Sequence, residues 1–492
     1  MIPVGLARTR ASYAGLAPPF GPGKPFPELE PLLGSDTAGP ANHVYEAVRS
    51  ALHALGLDAA RYGTPDWNPL GALARRGARI VLKPNFIRHW NPVQGASIDS
   101  VITHGAVVRA IADYAFLAAG SEGSVAIAEA PQHDCQWQRI REIVGLDALV
   151  DFYDRELGLE LETIDLRREA VIFRDGVIVE RRKLAGDPAG YRLVDLATRS
   201  AFHGSSLDPR RFRGADYDPG PTSRHHMDGR NEYLLSETVL SADLVVNLPK
   251  LKTHKKTGVT LALKNLVGIN GDKNLLPHHS VGSPDQGGDE YPGGAALDRL
   301  RSAATEVARV LLRRGIGNRL VRLVRRAENA ARGDAFIRSG NWHGNQTTWR
   351  MCLDLNRCLY YSDARGTHFD AGAPVRTVLT VLDGVIAGEG EGPLAPRDVP
   401  LGAVLAATDP IALDLAALRL MGFDERNIPK IREPMRDATL RITSVRQPDD
   451  VRVYETSADA RAPRELRLGE VPCERVFEPH PGWRGKLERN AR

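Results

Sequence analysis

The sequence predicts an α/β fold: a mixed or mostly parallel sheet with flanking helices, large loop and helical insertions, and a small C-terminal appendage. Two observations carry this expectation. Short apolar runs alternate with segments of helical period, the order that builds parallel strand–helix–strand units. Four of those runs stop on polar residues, at Lys83-Pro84-Asn85, at Glu129, at Lys250 through His254, and at Asp383. In an open α/β sheet, ligands sit beyond the carboxyl ends of strands.

Each element has its own signal. Asn42 is placed to cap a helix over 43–56, where Val44, Ala47, Val48, Leu52 and Leu55 recur at helical spacing. Ala78–Leu82 reads as a strand, and Pro84, which cannot donate to a central ladder, marks its exit. Thr103-His104 opens a helix carrying Val107, Val108, Ile111 and Tyr114, with Gly120 as terminator. Val125–Ala128 is the next strand, and 143–165 supplies a further helix and the strand Leu161–Asp165.

Val171–Phe173 and Val177–Val179 flank Asp175-Gly176, a hairpin signal. Leu244–Leu248 is a buried strand, and 296–314 and 317–333 read as Arg- and Ala-rich helices. Val378–Leu382 and Val404–Ala407 are strands, followed by a helix over 411–421. Beyond 435 the runs Leu440–Ile442 and Val451–Tyr454 are short and β-like. The expected organisation is a core over 1–434, with insertions at about 166–236 and 270–374, then a β-rich appendage over 435–492.

The chain has 492 residues, a formal net charge of +4 and a pI near 8.8. That charge is too small for this length to argue for nucleic-acid binding. The arginine-rich segment 313–326 reads as the solvated face of a helix. Cys135, Cys352, Cys358 and Cys473 form no close CxxC pair, so no iron–sulfur cluster is expected and reduced thiols in a cytoplasmic setting are. The N-terminal residues lack a basic segment followed by an apolar core, and no stretch approaches 18 apolar residues, so neither export nor a membrane span is expected. Oligomeric state has no signal.

The densest chemistry lies in Asn247-Leu248-Pro249-Lys250-Leu251-Lys252-Thr253-His254-Lys255-Lys256-Thr257-Gly258. In an extended chain Lys250, Lys252 and His254 share one side. Clustered ammonium groups need a compensating anion, such as a phosphate or carboxylate ligand. Lys255 and Lys256 are read as pointing into water. Thr257 is a candidate cap for a helix leading to Lys264-Asn265, with Gly258 allowing close ligand approach. No Walker A or GxGxxG pattern is present.

The carboxylates Asp383, Glu389, Glu391, Asp409 and Asp414 support two readings, a site for a divalent cation such as Mg²⁺ or a metal-free network pairing with the lysines. Asp409, before Pro410, also fits a helix cap. Trp342, His343 and Arg350 could form a substrate wall or a structural loop, and His278-His279 fits an active-site loop.

These motifs resemble the prokaryotic family called domain of unknown function three-six-two. The resemblance rests on Lys83-Pro84-Asn85, Thr103-His104, Asn247 through His254, Thr257-Gly258 through Gly268, Asp383-Gly384 with Glu391-Gly392-Pro393, and Thr408-Asp409-Pro410 with Asp414. It spans roughly 80–425 and implies no defined reaction. The ferredoxin-like cysteine module and export signals of some relatives have no counterpart expected here.

The expected function is an enzyme acting on a small phosphorylated or carboxylated metabolite by group transfer, hydrolysis or proton abstraction. His254, Lys250 and Asp383 are the catalytic candidates. Lys83, Asn85, His104, Glu129, Lys252, Thr257, Lys264, Asn265, Trp342, His343 and Arg350 are the substrate-binding ones, and Asp383, Glu389, Glu391 and Asp409 are the metal candidates. The alternative is a non-catalytic accessory protein that binds an anionic metabolite or polymer.

Overall fold

A computed structural model describes residues 1–34, 40–174, 177–314, 337–367, 373–457, 460 and 462–489. The expected helix over 317–333, the Asp175-Gly176 turn and the basic segment beyond Arg314 lie outside the described residues.

The chain enters through β1 (Ile2–Arg8), then β2 (Arg79–Pro84), β3 (Ser124–Glu129) and β4 (Leu161–Asp165). A first excursion holds β5 (Glu169–Arg174), β6 (Val177–Lys183), β7 (Tyr191–Asp195), β8 (Phe212–Arg213) and β9 (Glu232–Ser236). It returns in β10 (Leu244–Leu248), β11 (Lys250–His254) and β12 (Gly258–Val259), and β13 (His279–Ser280) opens a second excursion. β14 (Thr377–Glu391), β15 (Ala395–Ala407), β16 (Val451–Ser457) and β17 (Arg464–Arg467) complete the set.

Among the described residues eleven strands form one mixed sheet, in the order β17-β16-β1-β15-β14-β10-β2-β3-β4, with β11 and β12 joined alongside β14. Its run β14-β10-β2-β3-β4 is parallel throughout. Pro249 separates β10 from β11, so β11 leaves β10 and pairs instead with the far half of β14. The two excursions pair among themselves in three small sheets, β5-β6, β7-β9 and β8-β13.

Alternation along the strands splits the core into two layers. Val81 and Val245 face one layer, and Ile80, Leu82, Leu244 and Val246 face the other. The second layer is closed by helices His43–Ala54 and Gly105–Ala119, the first by Thr348–Tyr361 and Pro410–Met421. The caps follow the sequence signals. Asn42 Oδ1 accepts from the backbone N–H groups of Val44 and Tyr45, His104 Nδ1 from Ala106, and Asp409 Oδ1 from Ile411 and Ala412.

One local expectation is corrected: Leu440–Ile442 forms no strand. The β-rich C-terminal appendage is present as the hairpin β16-β17, and it joins the main sheet through β1, a strand with no expectation attached to it above, which pairs parallel with β16 over its whole length. Among the described residues no helix is long and apolar enough to cross a membrane.

Gly5 on β1 lies against helix His43–Ala54 so closely that a Cβ would sit 2.1 Å from the Ala51 carbonyl oxygen. Gly5→Ala is therefore expected to lower stability by about 1–3 kcal/mol through overpacking. Urea unfolding followed by circular dichroism checks this, and an unchanged midpoint would show that the helix–strand contact is loose.

Candidate anion-binding site

At the carboxyl ends of β2, β3 and β10 the polar residues interlock. Lys83 Nζ donates to Glu129 Oε2 at 2.6 Å and to Asn265 Oδ1 at 3.3 Å. Asn85 Nδ2 donates to the same Asn265 oxygen at 2.6 Å, and Asn265 Nδ2 donates to Asn247 Oδ1 at 2.8 Å. Lys252 Nζ donates to Asn85 Oδ1 at 2.9 Å and to the Val101 carbonyl. Burial pulls the ammonium groups of Lys83 and Lys252 below the ordinary lysine range; Glu129 opposes this at Lys83, whereas Lys250 and Lys264 add to it at Lys252. Gly268 closes over this network, since a Cβ there would fall 1.8 Å from Glu129 Oε1.

Lys250 and Asp383 form a second, separate unit. Neither has any solvent exposure, and their charged atoms lie 2.9 Å apart. Asp383 also accepts from the Tyr13 hydroxyl and, at 3.0 Å, from the backbone N–H of His104. His104 stacks on Tyr13 with ring centroids 3.8 Å apart, and burial holds its imidazole down at about 4. Every charge in this unit has its partner inside the protein, which marks it as a brace between the N-terminal segment and the sheet.

A cavity of about 360 Å³ opens beside the first network. The core side contributes His133, His254, Lys255, Lys256 and Lys264; the excursions contribute Phe173, Gly214, Lys273, His278, His279 and Ser339. Among the described residues no Asp or Glu lines it. Lys256 Nζ donates to the carbonyls of Ser339 and His278, and Lys273 Nζ to that of Ala130 at 2.7 Å. Burial lowers both amines to about 7. Lys255 and Lys264 are also lowered by burial, and Lys430 pushes Lys264 further down. The expectation that Lys256 points into water is corrected, because its ammonium is held by the Ser339 and His278 carbonyls; Lys255 is half-exposed and lines the same cavity.

The histidines here are neutral and carry opposite tautomers. His254 Nδ1 accepts from the Lys256 backbone N–H at 3.0 Å, which places the ring proton on Nε2. His278 Nδ1 lies 2.9 Å from the Leu276 carbonyl and must donate to it, which leaves Nε2 unprotonated. Burial holds His254 well below its ordinary value, His278 at about 3 and His133 at about 4.

Other candidates fall elsewhere. Glu389 accepts from Arg475 and from the Glu478 backbone N–H, Glu391 is exposed, and Asp409 holds its cap and Thr443. These do not gather with Asp383, and among the described residues no three of His, Cys, Asp and Glu are grouped as metal ligands. Thr257 caps nothing; its hydroxyl donates to the Val259 carbonyl, and the helix Leu261–Asn265 starts later. Trp342 donates to the Asp289 carbonyl, His343 packs edge-on against Trp483, and Arg350 donates to the Ala201 carbonyl, so all three brace the loop. Lys273 and His133 carry no motif around them, and only their placement reveals them.

Residues 199–419 match the family model of a domain of unknown function, DUF362. The earlier resemblance is borne out over that segment. The DUF362 match contains β10 to β15 and most of the cavity, but not Lys83, Glu129 or His133. A stretch of 57 residues is 40% identical to a thylakoid-associated protein of Synechocystis sp., covering 12% of this chain and 16% of that protein. No solved structure matches the chain.

Nitrogen-15 spectra at pH 7 are expected to show His254 protonated on Nε2 and His278 on Nδ1, both rings neutral; a charged His278 at pH 6 would refute the assignment. Because the unfolded ring takes up its proton near 6.5 and the folded one near 3, acidification through that window should favour unfolding. Lys250→Met should cost about 3–5 kcal/mol by stranding buried Asp383. Adding Asp383→Leu should recover much of that loss in urea unfolding. Equal losses in the single and double variants would show that the ion pair is not what Lys250 contributes.

Proposed function

We propose that this protein is an enzyme acting on a small phosphorylated or carboxylated metabolite in the lysine-lined cavity. The observation that carries this reading is the charge pattern. The ammonium groups of Lys255 and Lys264 have no hydrogen bond or ion pair among the described residues, and they share a cavity with Lys256 and Lys273 and with no described acidic lining residue. Like charges held together in a poorly solvated space are unfavourable until an anion enters. The volume of about 360 Å³ lies at the small end of the metabolite range.

The roles differ from residue to residue. Lys264 and Lys255 bind the anionic group directly, and Lys256 and Lys273, fixed by carbonyls, add field. His254 donates from Nε2 to a substrate oxygen, and His278 offers its unprotonated Nε2 as a hydrogen-bond acceptor, a role His254 in its own tautomer cannot take. Lys83, Glu129, Asn85, Asn265 and Lys252 hold the adjacent wall rigid. Fixed positive charge beside developing negative charge is the catalytic effect such an arrangement supplies.

Anion binding raises the amine pKa values, so amines lowered to about 7 must take up protons as the ligand enters. Calorimetry with inorganic phosphate at pH 7.5, in buffers of different ionisation enthalpy, is expected to show net proton uptake. Lys264→Gln should weaken binding about tenfold or more, or ~1.4 kcal/mol. No phosphate binding by the wild-type chain, or binding untouched by Lys264→Gln, would overturn the reading.

A further inference from the structure

The buried and half-buried lysines at this end of the sheet fall into three groups. Lys83, Lys250 and Lys430 meet Glu129, Asp383 and Asp414. Lys252, Lys256 and Lys273 meet neutral oxygens. The Lys264 ammonium meets neither among the described residues, although it is half-buried and lines the cavity. Lys255 shares that lack but feels the opposite charge of exposed Glu391. An amine pointed into a cavity with no acceptor is poorly placed to hold its proton and well placed to use its lone pair.

The backbone around Lys264 is also unusual. Its helix begins at Leu261, a bulky residue held at φ 50°. The left-handed region is unfavourable for such a residue, and strain of this kind persists where surrounding structure enforces it. Leu261 and Ala262 are fully buried, and Asp414 accepts from the Ala262 N–H at 2.7 Å. Lys264 is thus fixed on a rigid, anchored turn, with a ring N–H donor (His254) and an unprotonated ring nitrogen (His278) lining the same cavity.

We infer that Lys264 is a nucleophilic amine that condenses with the carbonyl carbon of an anionic oxo compound, an oxo acid or a phosphorylated aldehyde or ketone. The inference rests on the anion-binding reading for its substrate class. In the step, the Nζ lone pair forms a bond to the carbonyl carbon while the carbonyl π pair moves to oxygen. The oxygen is protonated, with the Nε2–H of His254 as its hydrogen-bond donor. The two protons the amine sheds pass through solvent, along the hydrogen-bond acceptor His278 Nε2, to that oxygen. The oxygen then leaves as water, and a C=N bond joins Lys264 to the substrate. No redox change occurs, and the remaining lysines hold the carboxylate or phosphate.

The test uses the full chain, glyoxylate as the probe and sodium cyanoborohydride, which reduces an imine to a stable secondary amine. Peptide mapping by mass spectrometry is expected to place the adduct on Lys264, formed about tenfold faster than on any other lysine. Phosphate should suppress it, and Lys264→Arg, with its fold checked by circular dichroism, should abolish it, because a guanidinium keeps the charge without the nucleophile. Labelling spread evenly over lysines, or a Lys264 left unmodified, would overturn the inference; in the wild-type chain this reading needs no variant to fold. If phosphate binding measured separately on the same protein persists in that case, the anion site stands and only the covalent step falls. If phosphate binding is also absent, both fall.

Discussion

An ammonium group removed from water must meet an acceptor or give up its proton, and this requirement organises one whole end of the molecule. Three lysines satisfy it with carboxylates, at Lys83–Glu129, Lys250–Asp383 and Lys430–Asp414. Others satisfy it with carbonyl or amide oxygens. Once these partners are assigned, the charges left over lie on the cavity wall. The paired lysines tie together strands and loops from distant parts of the chain, and the unpaired ones line the cavity on which the proposed anion site rests.

The sheet and its excursions divide this work. The parallel strands end at one edge, and Pro249 turns the chain out of β10 so that β11 carries Lys252 and His254 past the sheet end beside β14. That edge alone would be an open shelf. The segments carrying β5, β8 and β13, together with the loop leading to helix Thr348–Tyr361, cover it. Covering excludes water, and the exclusion lowers the amines and histidines. A shelf of ordinary surface lysines becomes a space in which protons and lone pairs are available near neutral pH.

Much of the framework was legible along the chain. The helix over 105–119 shows in the recurrence of Val107, Val108, Ile111 and Tyr114, and its start shows at Thr103-His104, where the structure makes His104 the cap. Asp409 before Pro410 reads as a cap and is one. The site was legible only in part. His254 and Lys264 line the cavity, and Lys83, Asn85, Glu129, Lys252 and Asn265 form its adjoining network. Lys250 and Asp383, equally conspicuous in the sequence, pair with each other apart from the cavity, and pairing between two polar residues 133 positions apart leaves no local trace. Lys273 and His133 were invisible for the same reason.

Local sequence determined what each segment is: where strands stop, which residues cap helices, and that one stretch concentrates positive charge. Those properties depend on neighbours within a few residues, through backbone sterics, hydrogen-bond reach and side-chain period. Tertiary structure alone decided which charges cancel and which remain. Pairing in three dimensions and removal from water are properties of the assembled chain, so only folding separates Lys250, neutralised by Asp383, from Lys264, left facing the cavity.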